Sequence, residues 1–163
     1  MTRIAFIRTK WLAGILIVAT GFVSACGLPH DAEGTLPRVQ NGVMRVGISA
    51  DSPWVVQAGG SVSGYEAQIV TQLAAQLHSR IETHAGSESE LLEKLHKQNL
   101  DIVIGGLTDD SPWKKSLALT RPYHEDREGK KHVLALPPGE NAWLLTVERY
   151  LRDNEERLKA IPE

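Results

Sequence analysis

The chain of 163 residues contains a single cysteine, Cys26, so it cannot form an internal disulfide. Small exported domains that cannot build a core are commonly held together by several disulfides. With one cysteine, this chain cannot be stabilised in that way. The sequence also lacks a strong excess of one charge, with 18 basic and 20 acidic residues. Its stability must therefore come from a hydrophobic core, and the length suffices for one ordinary domain.

Catalytic and nucleotide-binding motifs are also missing. The glycines between Gly59 and Gly64 do not have the Gly-x-Gly-x-x-Gly spacing of dinucleotide-binding turns, and no cofactor is expected. Ser111 and Lys114 fit the Ser-x-x-Lys pattern of penicillin-interacting enzymes, but the accompanying Ser-Asp-Asn and Lys-Thr-Gly motifs do not occur. We treat this match as chance and expect neither catalytic residues nor enzyme activity.

A metal site is not expected either, although four candidate ligands lie near one another in the sequence. His124, Glu125, Asp126 and His132 lack the tight spacing of zinc-binding motifs. The favoured interpretation is a solvated connection between two segments of the core, with a metal site as the alternative.

The first 25 residues have the order of a secretory signal peptide. Arg3, Arg8 and Lys10 precede an apolar run over residues 11–22, and small residues lead directly to Cys26. This aliphatic-small-small-Cys pattern resembles the lipobox of bacterial lipoproteins, which implies that Cys26 becomes the acylated first residue of a protein exported to the periplasmic side of a bacterial membrane. The alternative, an uncleaved membrane anchor, requires about 20 apolar residues, more than the run provides.

Removal of the signal peptide changes the charge balance, because that segment carries three basic residues and no acidic ones. The mature chain would carry 15 basic and 20 acidic residues, a formal net charge of −5, which argues against a nucleic-acid partner. Residues 26–41 contain glycine, proline and acidic residues and have no apolar periodicity. They predict a flexible tether between the membrane and a domain that spans residues 42–163.

Apolar periodicity in the mature chain predicts alternating strands and helices. The β-branched run Val43–Ile48 is typical of a buried strand, whereas Ile69, Leu73 and Leu77 recur every four residues, as on one face of a helix. The remaining elements are strands over residues 80–84, 101–105 and 132–136, a helix after a capping box at residues 87–90, and a final helix with Asn141 as its N-cap. This order predicts an α/β fold with a mostly parallel sheet flanked by helices.

The carboxyl ends of the strands are the expected place for a ligand in such a sheet. Two loops follow strand ends, residues 49–54 and 105–113, and each carries a tryptophan, Trp54 in the first and Trp113 in the second. Two tryptophans on neighbouring loops favour a wall for an apolar, aromatic or cationic group. The alternative is that both rings only cover the sheet as part of the core.

Four segments occur in a recognisable order and spacing: VGISADSPW (46–54), GYE (64–66), DIVIGGLT (101–108) and TRPY (120–123). Together they resemble the first lobe of the family-three bacterial extracellular solute-binding proteins, the amino-acid-type receptors of ABC importers. The resemblance implies a periplasmic-binding-protein-like lobe that captures a small solute for an ABC permease. Family members insert a second lobe after the Pro-Tyr pair, where this chain has only a short polar segment. A single lobe with its second lobe missing is therefore expected.

The resemblance also assigns ligand-binding positions. Asp51 and Trp54 match the acid and the aromatic residue of the family's first loop, and Gly106 and Thr108 match positions that offer backbone and hydroxyl groups to a ligand carboxylate. Trp113 falls where amino-acid-binding members have the arginine that grips this carboxylate. Because an indole supplies one donor and no charge, whereas arginine supplies a charged, bidentate grip, a small polar or amine-containing solute is expected in place of an ordinary α-amino acid.

Asp109 and Asp110 add two acids to the second loop, and they are candidates for recognising a cation or an amine; a solvated turn or helix cap is the alternative. A single lobe offers half of a cleft, so we expect weak binding, or completion of the site by a partner protein or by a second copy in a homodimer. Three function classes stay open: a solute receptor for a transporter, a regulatory or sensory lipoprotein that acts through a protein partner, and an enzyme, since the fold also hosts dehydratase-like members.

Overall fold

The computed structural model describes residues 29–159, so the predicted signal peptide and Cys26 lie outside the described residues. The strands are, in chain order, β1 (Val43–Ile48), β2 (Val56–Ala58), β3 (Ser61–Ser63), β4 (Arg80–Ala85), β5 (Ile102–Ile104), β6 (Ala118–Leu119), β7 (His124–Glu125), β8 (Lys131–His132) and β9 (Ala135–Leu136). The helices are α1 (Thr35–Val39), α2 (Tyr65–Gln76), α3 (Glu88–His96), α4 (Asn141–Asp153) and α5 (Glu155–Lys159), with a 3₁₀ turn at Pro112–Lys115. None of the helices in this range has the length and apolar character that a membrane span requires.

Five strands form the main sheet in the order β4-β1-β5-β9-β6. The first three are parallel, whereas β9 runs antiparallel to β5 and β6 runs antiparallel to β9. The predicted α/β lobe is confirmed, with a mixed sheet in place of the mostly parallel one. The connections explain the difference, because a parallel pair needs a long crossover and the chain returns from β6 to β9 without a helix. The loops after Ile48 and Ile104 lie at the same edge of the sheet.

Apolar side chains alternate between the two faces of the sheet and pack under helices on both sides. Ile102 and Ile104 belong to a cluster with residues of α2 and α4, whereas Val103 belongs to a second cluster with residues of α3. The helix predicted from the four-residue spacing is confirmed as α2. The Ser87 hydroxyl accepts a hydrogen bond from the Glu90 amide at the start of α3, as the capping box predicts.

The segment before β1 departs from the expectation of a flexible tether. Residues 35–39 form α1, and the Thr35 side chain is fully buried. The Glu140 carboxylate accepts hydrogen bonds from the amides of Glu33 and Thr35, both at 2.8 Å. The folded unit therefore begins well before the predicted boundary at residue 42.

The N-cap of α4 also differs from the predicted Asn141. Asn141 is already inside the helix, and the residue before it, Glu140, makes no side-chain cap bond. The Trp143 amide donates instead to Asp31 Oδ1 at 2.8 Å, and Asp31 Oδ2 accepts from the Leu36 amide at 2.7 Å. A carboxylate from a distant part of the chain thus satisfies a free amide in the first turn, where negative charge is favourable.

A buried ion cluster at the amino end of β5 connects α1 with the sheet. Asp101 is 0% exposed, and its Oδ1 lies 2.7 Å from the Arg38 guanidinium and 2.6 Å from the Arg45 guanidinium. Burial alone would raise the pKa of Asp101, but the hydrogen bonds from both arginines outweigh burial and lower the pKa. This cluster lies at the opposite end of β5 from the loop after Ile104, so it stabilises the lobe without taking part in that loop.

A short hairpin, β7–β8, forms the polar segment that follows Tyr123. His124 lies opposite His132 in this antiparallel pair. The Asp126 carboxylate closes the turn, since its Oδ1 accepts from the amides of Glu128 and Lys130, both at 2.9 Å. The polar segment is thus a defined turn with its own hydrogen bonds.

Candidate functional site

Asp51, Trp54 and Gly106 meet at the edge of the sheet where β1 and β5 end. Gly106 has a φ of 70°, and a Cβ at this position would lie 2.2 Å from Asp51 Oδ2 and 2.7 Å from Trp54 Cδ1. A side chain is therefore excluded both by the left-handed backbone conformation and by the close approach of the first loop. Three of the residues predicted to bind a ligand thus lie in direct contact.

The Asp51 carboxylate is exposed and carries an uncompensated negative charge. Its backbone is fixed, because Asp51 and Val55 exchange two amide-carbonyl hydrogen bonds, at 2.9 and 2.7 Å. Within residues 29–159, no lysine, arginine or histidine forms an ion pair with it. An unpaired carboxylate on a fixed turn is suited to hydrogen bonding with a positively charged group.

Glu66 holds the second loop in place, although the sequence did not single it out as a site residue. Its Oε2 accepts from the amides of Gly105 and Gly106, at 2.6 and 3.1 Å, and its Oε1 accepts from the Tyr123 hydroxyl at 2.6 Å. Its position in the GYE segment could have indicated this role. An acid that lies beside buried positions of a helix needs hydrogen-bond or ionic partners. The Gly106 amide, which the resemblance assigns to a ligand carboxylate, donates here to Glu66.

Burial gives Glu66 an unusual titration. Desolvation raises its pKa from 4.5 to about 7 and outweighs the hydrogen bonds from Tyr123, Gly106 and Gly105; the nearby Asp51 carboxylate adds to the rise. Desolvation, together with the Glu66 carboxylate, also raises the pKa of Tyr123 well above its usual range. The site therefore contains a carboxyl group that changes its charge near neutral pH directly beneath the second loop.

Four rings surround Trp54, which is 8% exposed. The rings of Tyr65, Tyr123 and His124 lie 6.1, 6.2 and 5.4 Å from it between centroids, in edge-on or tilted arrangements. The His132 imidazole is stacked on the indole, with centroids 3.7 Å apart and planes inclined by 29°. One face of Trp54 is thus covered by a residue of the same chain.

The second loop is attached to the β7–β8 hairpin. Thr108 forms an isolated β-bridge with His132, and the Asp109 amide donates to the Lys131 carbonyl at 3.0 Å. The Thr108 hydroxyl donates to Asp110 Oδ1 at 2.5 Å. The carboxylates of Asp109 and Asp110 are exposed, so they add negative charge to the loop.

Trp113 does not join Trp54. It lies in the 3₁₀ turn and packs against the α3-side cluster, which includes Leu107 and Leu117, whereas Trp54 belongs to the cluster on the other face of the sheet. Among the described rings, the contacts of Trp54 do not include Trp113. The expected wall of two tryptophans is therefore not formed.

A cavity of about 700 Å³ adjoins the site between the base of the hairpin and α4. It shares Tyr123 and His124 with the ring cluster, and charged residues of α4 such as Glu148 line its other side. Asp51 and Gly106 are not among its lining residues. The carboxylate at the sheet edge and this cavity are thus neighbouring but separate features.

The four candidate metal ligands of the hairpin do not converge. Across the part of the chain that the structure covers, no three side chains of His, Cys, Asp or Glu are grouped closely enough to hold a metal ion. His132 Nε2 lies 3.2 Å from Asp126 Oδ2, while the rings of His124 and His132 are 6.3 Å apart. Glu125 is exposed on the hairpin.

Known proteins share both this sequence pattern and this fold. A probable histidine-binding protein of Neisseria gonorrhoeae is 27% identical over 133 residues, which cover 80% of this chain and 48% of that protein. The chain thus spans about half the length of this curated relative. The arginine-bound form of domain 1 from TmArgBP is similar in fold, with 23% identity, a TM-score of 0.65, and coverage of 72% of this chain and 97% of that one.

A second solved structure, an ancestral cationic amino acid solute-binding protein, is similar with 15% identity and a TM-score of 0.67 over 77% of this chain and 97% of its own. These likenesses confirm the fold of a single lobe. The sequence profile of the bacterial extracellular solute-binding proteins, family 3, matches residues 44–158, which is most of the chain. The chain therefore belongs to the bacterial extracellular solute-binding proteins, family 3.

Proposed function

We propose that the protein is a lipid-anchored receptor on the periplasmic side of a bacterial membrane, which captures a small polar or amine-containing solute for an ABC-type importer. The observation that carries this proposal is the contact of Asp51 with Gly106 beside Trp54 at the carboxyl edge of the sheet. Asp51 attracts a positively charged group because the described residues give it no cation partner. The exposed acids Asp109 and Asp110 strengthen this attraction.

The names of similar proteins support a cationic solute. The relative from Neisseria gonorrhoeae is called a probable histidine-binding protein, and two of the similar solved structures are described as arginine-bound and as a cationic amino acid solute-binding protein. The arginine-bound structure is that of domain 1. It supports the proposal that one lobe suffices to hold a solute.

In this proposal, a protein partner covers the side of the lobe on which a bound solute would face water. Small-molecule sites bury about 70–90% of their ligand, and one lobe with an exposed Asp51 leaves much of a bound solute in water. We propose that an ABC permease or a second copy of the chain in a homodimer supplies the rest of the enclosure. A similar solved structure is described as the substrate-binding protein of an amino acid ABC transporter, which supports the permease.

A regulatory or sensory lipoprotein is the second candidate. The stacking of His132 on Trp54 favours it. The lobe fills part of its proposed site with its own side chain, which is expected of a protein that no longer binds a ligand. This candidate predicts that no small solute binds and that a membrane protein co-purifies with the chain.

A screen of solutes by thermal unfolding distinguishes the two candidates. Residues 27–163 would be heated with amino acids, polyamines and small organic acids in turn. We expect cationic and amine-containing solutes to raise Tm, since a solute at 100 times its Kd stabilises the folded state by about 2.7 kcal/mol. Stabilisation by organic acids alone, or by no solute, would contradict the receptor proposal.

The lipid anchor has its own test. We propose that Cys26 is acylated after removal of residues 1–25, and the acyl chains then hold the protein to the membrane through buried CH₂ groups. In bacteria that express the full chain, the protein is expected to incorporate labelled palmitate, and Cys26→Ser is expected to abolish this incorporation. Ser24→Thr, which keeps the cysteine, serves as the control; palmitate incorporation into Cys26→Ser would exclude this anchor.

A further inference from the structure

The β7–β8 hairpin places one imidazole in a position that a ligand would otherwise use. The His132 ring lies parallel to the Trp54 indole within 29°, at a centroid distance of 3.7 Å, and it is 3% exposed. This is the geometry that a flat cation or aromatic group adopts on an indole when an aromatic residue forms part of a binding site. The indole edge, by contrast, faces Gly106 and the Asp51 carboxylate.

His132 is held in this position by contacts on several sides. Its Nε2 lies 3.2 Å from Asp126 Oδ2, and the carbonyl of His132 accepts from the Tyr123 amide at 3.0 Å. A β-bridge connects it to Thr108 in the second loop. The backbone of His132 is therefore fixed to the hairpin and to the second loop, while the Asp126 carboxylate and the Trp54 indole hold its ring in place.

We propose that His132 is a specificity-determining residue of the strand-end site, because its imidazole occupies the face of Trp54 that a planar ligand group would need. The site then accepts ammonium groups on flexible chains, which reach Asp51 without stacking, and it rejects guanidinium, imidazole and aromatic groups. This inference rests on the proposed capture of an amine-containing solute at Asp51. It predicts that the site prefers a flexible ammonium group, whereas the names of the arginine- and histidine-binding relatives imply a planar guanidinium or imidazole group.

The binding test compares lysine with arginine, which carry flexible and planar cations. In the protein of residues 27–163, lysine is expected to bind at least tenfold more tightly than arginine. His132→Ala uncovers Trp54 and is expected to raise the affinity for arginine at least tenfold while changing that for lysine less than threefold. His132→Phe keeps a flat cover and is expected to retain the original preference. His84→Ala on β4 is the matched control.

A fluorescence measurement tests the cover without any ligand. In a Trp113→Phe background, the tryptophans of residues 27–163 are Trp54 and the fully buried Trp143. Acrylamide is expected to quench emission at least twice as strongly in His132→Ala as in His132→Phe. Equal quenching would overturn the inference. If His132→Ala fails to fold, His132→Thr, which suits a strand, provides the open variant.

The outcomes separate this inference from the proposed function. If lysine binds normally but arginine binds equally well to the unchanged protein, or if His132→Ala leaves the lysine-to-arginine ratio unchanged, the specificity role of His132 is overturned and the proposed function stands. If no amine binds to any of the variants, the proposed function and this inference fail together. Increased quenching with the expected change in preference supports both.

Discussion

Replacement of Glu66 by glutamine is expected to remove a distinct pH dependence of stability. Glu66 has a pKa of about 7 in the folded protein because of its burial, against 4.5 for the ordinary group. The folded state therefore holds this proton more tightly than the unfolded chain, so the free energy of unfolding falls as the pH rises from about 4.5 to about 7. The fall amounts to roughly 3 kcal/mol, and above this window the cost of the buried charge is fully present.

The measurement is denaturant unfolding at a series of pH values for the unchanged protein and for Glu66→Gln. The amide oxygen of glutamine still accepts from the loop amides, and its NH₂ group faces the Tyr123 oxygen, so the fold is retained. The difference between the two curves isolates Glu66 from His124, whose pKa is lowered by burial and by His132. A difference curve that is flat between pH 4.5 and 7 would show that Glu66 is ionised throughout.

Glu66→Ala is expected to lower stability on the order of 4 kcal/mol at pH 5, because the amides of Gly105 and Gly106 and the Tyr123 hydroxyl lose their acceptor. Glu93→Gln is the matched control. Glu93 is exposed and forms an ion pair with Lys97 on the surface of α3, and such pairs contribute less than about 1 kcal/mol. Similar losses in the two variants would contradict the role of Glu66 as the support of the second loop.

Replacement of Asp51 by asparagine is expected to have the largest effect on solute binding. Asparagine has the same shape but no charge, so a charge-assisted hydrogen bond to an ammonium group becomes a neutral one. We expect the affinity for a cationic solute to fall about 30-fold, equivalent to about 2 kcal/mol. The stability is expected to change by less than about 0.5 kcal/mol, since Asp51 is an exposed residue without an ion pair in the described structure.

Calorimetric titration of the two proteins with lysine measures this effect. The control is Asp153→Asn, since Asp153 is an exposed acid at the end of α4, away from the strand-end loops. The control also removes one negative charge and thus reports any general electrostatic attraction. Equal losses of affinity in Asp51→Asn and Asp153→Asn would show that Asp51 does not contact the solute.

The local parts of the fold could be predicted because they depend on neighbouring residues. The apolar run at residues 43–48 forms β1. The four-residue spacing of Ile69 and Leu73 predicted α2, and the capping box at Ser87 predicted the start of α3. The sequence also placed Asp51 and Gly106 on two loops that follow strands, and such loops lie at the same edge of a parallel sheet. These features require only a pattern of apolar residues and a known topology.

The remaining features depend on partners that are distant in the sequence. The segment before β1 has the composition of a flexible tether but forms a helix that packs on the lobe. Glu140, more than a hundred residues away in the sequence, accepts hydrogen bonds from the amides of Glu33 and Thr35 and holds this segment in place. Glu66 gains its role from amides 39 and 40 residues later. No local periodicity encodes such pairs.

The tryptophans illustrate the same limit. Both follow strand ends, but Trp54 and Trp113 belong to different core clusters. The stacking partner of Trp54 is His132 from the hairpin that follows Tyr123. The polar composition of the hairpin segment predicted a solvated connection. Hydrogen bonds to Asp126 instead close the hairpin turn and hold the His132 ring, which stacks on the Trp54 indole.

We propose that the strand-end loops of this single lobe bind a solute through its positive charge. Calorimetric titration of residues 27–163 with lysine, cadaverine and hexanoate measures this dependence, because hexanoate has the six-carbon acid chain of lysine and no ammonium group. Lysine and cadaverine are expected to bind at least tenfold more tightly than hexanoate, a difference of about 1.4 kcal/mol or more. Equal binding of lysine and hexanoate, or no binding of the two amines, would contradict recognition through positive charge.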